Sequence, residues 1–347
     1  MSTKTKPTLP RSPNKSQPLG REAIFYMVLL ALQFGFQPLL TRRYTSSTIC
    51  RSSVIFVQEC FKFCIALSLL YFSGDIKSAR KDWTIYSWAS VAGVPAALYA
   101  VQNLSSLLAY QNLDGLTYNI LNQTKTLSAA LCCYLVMGRR QSVMQVVALM
   151  VLLLSALIME RIIPLDFVLQ GRSESSSNTF EFLSFKARHF SHGVAPVLLA
   201  SFISGLAGAI SQKNLQGVGS RNPYWFSMEL CGFSIIFLSL SMIASPDGKM
   251  IQEKGFWSGW TLKTLIPIFT NSVGGIIVGL VTKHAGAVQK GFALIFGIFI
   301  SGFVQAPDTG ISTEQLIGGF LAGISLYMHT TNRINGGQVS LKSTKKD

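Results

Sequence analysis

Ten apolar runs of bilayer-spanning length follow one another along the chain, and no other feature constrains its fold as tightly. They cover about 23–41, 48–72, 84–110, 113–137, 141–159, 194–213, 224–245, 261–283, 288–306 and 313–331. A helix needs about 20 mostly apolar residues to cross a hydrocarbon core of about 30 Å. In lipid, each backbone N–H and C=O must find a partner within the protein, which a helix supplies by itself. The pattern therefore predicts an all-α membrane protein with ten transmembrane helices. Of 347 residues only 13% are charged, against about 25% in soluble domains.

Polar punctuation divides the chain. Residues 1–22 form a basic tail expected to be disordered, and 23–159 a first five-helix half. Residues 160–193 form a polar lumenal loop containing the low-complexity stretch GRSESSSNT, 194–331 a second five-helix half, and 332–347 a second basic tail. Five runs on each side of a loop are compatible with two inverted halves, a common transporter plan. With the N-terminus in the cytosol, 18 of the 30 lysines and arginines fall on the cytosolic side and 10 on the other. That bias predicts both termini in the cytosol, so the sequon at Asn14 should carry no glycan. The net charge of +15 lies in short loops and tails and suits acidic membrane surfaces. No soluble segment is large enough to bind nucleic acid, so that partner is excluded. The six cysteines match no zinc spacing and read as small core residues. No metal cluster, activated nucleophile or soluble catalytic segment is visible, so no cofactor is expected and an enzyme is not the reading.

Polar groups inside apolar runs then point to function. Lys125 sits at the middle of LDGLTYNILNQTKTLSAALCCYLVM (113–137). A lysine at that depth costs about 3 kcal/mol on insertion scales, so it must face protein or water. On a continuous helix Thr117, Tyr118, Asn122 and Lys125 form one polar stripe, suited to an anionic, hydrogen-bonding cargo. Glu59 and Lys62, three apart, either neutralise one another or line a polar cavity. Glu59 and Glu229 are both candidate counter-charges for Lys125. Tyr99 and Asn103 share a face beyond Pro95, where the helix can bend and release carbonyls. An aromatic ring and an amide on that face suit a base or sugar. Gly274, Gly275 and Gly279 allow close helix approach. Lys290 opens the ninth helix, whose unpaired N–H groups favour an anion such as phosphate.

Several stretches together resemble the nucleotide-sugar transporters of the drug/metabolite transporter superfamily. They are QECFKF (58–63), ALYAVQN (97–103), LDGLTYNILNQTKTLSAAL (113–131) and GGIIVGLVTKHAGAVQKGF (274–292). The plant endoplasmic-reticulum branch that carries UDP-N-acetylhexosamines is more similar still, through Gln37–Leu40, Pro95–Asn103, Ile120–Lys125 and Ser245–Trp260. The resemblance implies ten helices in two inverted halves and exchange of a nucleotide sugar for its nucleoside monophosphate. UDP-N-acetylglucosamine or UDP-N-acetylgalactosamine against UMP is the expected pair. CMP-sialate or UDP-galactose exchange, or export of a cargo without phosphate, are the alternatives. It further implies that Tyr99, Asn103, Tyr118 and Lys125 contact nucleotide and phosphate, Lys290 the phosphate, and that Glu59 and Lys62 lie beside the sugar. The seventh run departs from the sialate carriers at Trp225–Glu229, and Asn122-Gln123-Thr124 replaces a more apolar run. The implied setting is an endoplasmic-reticulum or Golgi membrane, with the bilayer, the nucleotide sugar and the monophosphate as partners and a homodimer admitted.

Overall fold

A computed structural model describes residues 20–46, 48–81, 83–113, 118, 121–159, 190–217, 219–309 and 313–332. The N-terminal tail with Asn14, Thr117, nearly all of the 160–193 loop and the C-terminal tail lie outside the described residues. Among the described residues the chain is helical, with no strand. The long helices are α1 (Arg21–Tyr44), α2 (Arg51–Phe72), α3 (Val94–Asn112), α4 (Lys125–Met137) and α5 (Val143–Met159). After the long loop come α6 (Ala195–Gln216), α7 (Pro223–Ala244), α8 (Leu265–His284), α9 (Ala287–Thr309) and α10 (Thr313–Thr331). Among the described residues, six membrane-spanning candidates are long and apolar enough by themselves, built on α1, α2, α6, α7, α8 and α9.

Local chemistry sets the ends. Asn222 caps α7, its Oδ1 accepting from the N–H groups of Tyr224 and Trp225 at 2.9 and 3.5 Å, and Pro223 follows where no N–H is needed. Between α8 and α9 the chain reverses over Ala285 and Gly286, whose φ of +107° a side chain would resist. The third apolar run begins as a capped turn at Ile85–Trp88, passes through a π-helical turn at Ala89–Gly93, and only then becomes α3. Pro95 lacks the N–H that would bond the Val91 carbonyl. Asn214 of α6 takes that oxygen, its Nδ2 donating at 2.9 Å.

The fourth run corrects the sequence reading. Residues 113–137 are not one helix, and Lys125 is the first residue of α4, not the middle of a longer helix. Gln123 and Thr124 form a turn. The Thr124 N–H and hydroxyl both donate to the Leu121 carbonyl, at 3.1 and 2.6 Å. A threonine that bonds the preceding turn with its own side chain competes with helix propagation. At about 1.5 Å per residue, α4 crosses only part of the bilayer.

Packing is dominated by a few helix pairs. Helix α1 lies against α8 and α9, α6 against α3 and α4, α2 against α7, and α5 against α10. The main core joins small residues of α4 (Ala129, Ala130, Cys132, Cys133) to Phe292 of α9 and Leu30 of α1. Cys132, Cys133 and Cys231 are buried as a core role requires, whereas Cys64 is exposed. At Gly205 a Cβ would sit 2.6 Å from the Ser128 backbone carbon, so α6 and α4 touch backbone to backbone there.

Candidate functional site

Glycine packing brings the two lysines together. At Gly291 of α9 a Cβ would meet Thr126 Oγ1 of α4 at 2.5 Å. The helices thus approach at the residues next to Lys290 and Lys125. Both lysines are half-buried, and each ammonium lies within electrostatic range of the other. Among the described residues no carboxylate pairs with either one. Like charges within range of one another in a partly dry setting repel, and a bound anion would relieve that repulsion.

The two carboxylates proposed as counter-charges are committed elsewhere. Glu59 takes Lys62, Nζ to Oε1 at 2.6 Å. Glu229 faces Arg221 at 3.7 Å and accepts from Trp225 Nε1 at 3.0 Å. Helical spacing explains the first, since i and i+3 share a face. Arg221 lies in the α6–α7 connection and reaches back to the second turn of α7, which no helix spacing announces. The start of α9 departs from the expected open helix end at one group. The first N–H of α9 is not open to an anion, because the Ala287 N–H donates to Gln212 Oε1 at 2.9 Å. Gln216 Nε2 donates to the Thr282 and Lys283 carbonyls at 2.8 and 2.6 Å. The α8–α9 turn is buried, so its backbone groups require protein partners. Two α6 glutamines supply them, and Lys290 offers its side chain alone.

Around this pair the remaining predicted residues divide. Asn122 is half-buried, and its Oδ1 has no hydrogen-bond partner among the described residues, which leaves an acceptor three residues before Lys125. Tyr118 is half-buried. Tyr99 is half-buried on α3 and within electrostatic range of Lys62. Asn103 is exposed. Gln102 carries the inward amide of that helix, its Oε1 buried and without a hydrogen-bond partner among the described residues.

Lys62 owes its position to a glycine. A Cβ on Gly275 would lie 2.7 Å from Lys62 Cδ, so the stem runs across the bare backbone of α8 toward Glu59. Glu59→Gln is expected to lower stability by about 3 kcal/mol, the cost of leaving a buried charge without its partner. Glu59→Gln with Lys62→Met should recover most of it. Thermal unfolding in detergent checks both, and a single variant as stable as wild type would refute the pairing.

The sequence reading missed an amide cluster beside this pair. Asn271 Nδ2 of α8 donates to Gln58 Oε1 of α2 at 2.7 Å, and Gln33 Nε2 of α1 reaches Asn271 Oδ1 at 3.4 Å. Gln37 Nε2 donates to the Pro267 carbonyl at 2.9 Å, and its Oε1 accepts from Thr270 at 2.8 Å. Gln33 and Gln37 stand four apart in an apolar run, and that spacing of amides was the available signal.

Apolar helices long enough to cross a bilayer, with polar and charged side chains between them, define a multi-pass membrane protein. A family model for nucleotide-sugar transporters matches residues 21–330, and the chain belongs to that family. It is 36% identical to the UDP-N-acetylglucosamine transporter ROCK1 of Arabidopsis thaliana, over 84% of this chain and 86% of that protein. It is 27% identical to the UDP-N-acetylglucosamine/UDP-N-acetylgalactosamine transporter nstp-4 of Caenorhabditis elegans, over 83% and 84%. The human UDP-N-acetylglucosamine transporter is 27% identical over 61% of each chain. One crystal structure superposes with a TM-score of 0.62 at 11% identity, covering 90% of this chain and 98% of that one. It bears on the fold alone.

Proposed function

We propose that the protein exchanges UDP-N-acetylglucosamine or UDP-N-acetylgalactosamine for UMP across an endoplasmic-reticulum or Golgi membrane, with both termini in the cytosol. The observation that carries this reading is the Lys125–Lys290 pair, two cations without carboxylate partners among the described residues. A diphosphate neutralises them on the way in, and a monophosphate on the way out. The empty carrier keeps both charges uncompensated inside the bilayer, which raises the energy of its return and couples the two movements. The Glu59–Lys62 pair, with Tyr99 facing it, forms the polar wall for the sugar, and Asn122 contributes the acceptor nearest the phosphates.

Ten spans in two inverted halves are part of the same reading, and helix pairing supports them. Advancing each helix number by five, and counting past α10 back to α1, converts α1–α9 into α6–α4 and α1–α8 into α6–α3. The same step returns α2–α7 and α5–α10 to themselves. Alternating access then comes from rocking one half against the other.

Purified protein in vesicles preloaded with UMP or CMP tests the cargo. Uptake of labelled UDP-N-acetylhexosamines is expected against internal UMP, with little against internal CMP or from empty vesicles. Uptake that requires CMP would reassign the base. Equal uptake into empty vesicles would remove the exchange.

A further inference from the structure

A second cationic site lies at one end of the bundle, away from the lysine pair. A cavity of about 740 Å³ is lined by Asp75, Lys213, Arg221, Asn222, Trp225 and Lys283, among others. Neither Lys125 nor Lys290 lines it. Three cations therefore converge on one concavity from the last turn of α6, the α6–α7 connection and the last turn of α8. A lysine at a helix C-terminus is accounted for by the helix dipole alone. The dipole does not account for three cations, an asparagine and an indole around one hollow.

The acidic groups nearby are already engaged. Asp75 Oδ2 accepts from Asn222 Nδ2 at 3.0 Å. Arg221 donates to Ser87 Oγ at 2.7 Å and faces Glu229 at 3.7 Å. Lys213 and Lys283 form no ion pair among the described residues. Trp225 stands on the wall with its indole N–H held by Glu229 at 3.0 Å, which fixes the ring plane. Aromatic rings of this kind stack on nucleobases. The hollow falls in the size range of small-molecule pockets, large enough for a nucleoside diphosphate.

We infer that this hollow is a loading site for the nucleoside-diphosphate part of the cargo, with Lys213 and Lys283 drawing in the phosphates and Trp225 stacking on the base. The inference rests on the proposed function for the identity of the cargo. Cationic clefts raise the local concentration of an anion and its rate of arrival, an effect that salt weakens. A phosphate here also competes with Glu229 for Arg221, which links loading to release of that contact at the start of α7.

Lys213→Gln with Lys283→Gln, assayed in UMP-loaded vesicles, is expected to raise half-saturating UDP-N-acetylglucosamine about tenfold while leaving the maximal rate near wild type. Its half-saturation should also respond less to added salt. Independently, in Lys125→Ala protein, UDP should shield Lys213 and Lys283 from an amine-acylating reagent read by peptide mass spectrometry. An unchanged half-saturation together with equal acylation with and without UDP would overturn the loading site. Wild-type vesicles that exchange nothing would instead defeat the proposed function, and the acylation result would still decide on the hollow.

Discussion

Lys125→Ala is expected to abolish exchange of UDP-N-acetylhexosamine for UMP while the protein still inserts and folds. The side chain is half-buried and has no carboxylate partner among the described residues, so truncation breaks no ion pair. A lysine inside a membrane-spanning region costs up to about 3 kcal/mol to insert, and the variant should melt at or above the wild-type temperature. A ligand present at 100 times its dissociation constant stabilises the folded state by about 2.7 kcal/mol. UDP should therefore raise the melting temperature of wild type by more than that of the variant, in which the hollow at Lys213 and Lys283 is the site that remains. Exchange at the wild-type rate by Lys125→Ala would end the phosphate reading. A sharp loss of stability would reveal a structural lysine instead.

Gly205→Ala is the second substitution with a large expected effect, although Gly205 carries no functional group. Its added Cβ would sit 2.6 Å from the Ser128 carbon and 2.7 Å from the Ala129 nitrogen. Both are backbone atoms, which cannot rotate aside as a side chain can. The helices must separate, at a cost of about 2 kcal/mol by comparison with overpacked cores. Ser128 lies three residues beyond Lys125, so the displacement reaches the start of α4. A lower melting temperature and a lower exchange rate are expected together. Gly323→Ala is the control, since nothing stands within 4 Å of a Cβ there. A Gly205→Ala protein as stable and as active as that control would contradict the close packing.

Much of the architecture was legible because hydropathy runs and helices share one cause. Most long helices begin and end within a few residues of the apolar runs. The exception is instructive. Gln123-Thr124 sits inside an apolar run of bilayer length, and hydropathy averaging passes over a turn that depends on one threonine hydroxyl. Among polar residues, Glu59 and Lys62 were legible as neighbours because helical spacing is local. The attachment of Glu229 to Arg221 was not, because pairing across a loop depends on where two helix ends meet. The glutamines of α6 were missed for a related reason. Gln212 and Gln216 resemble ordinary polar residues near a helix end, and their role depends on a turn 66 to 75 residues further along the chain.

Helix α6 bears neither member of the lysine pair, yet it touches both helices that do. Its backbone abuts α4 at Gly205, and its two glutamines clasp the turn from which α9 departs. The gap between the ammonium groups is thus gauged from a third helix. A slide of α6 along its axis would widen or narrow that gap and so change the length of anion that fits, with no alteration to any group in contact with it.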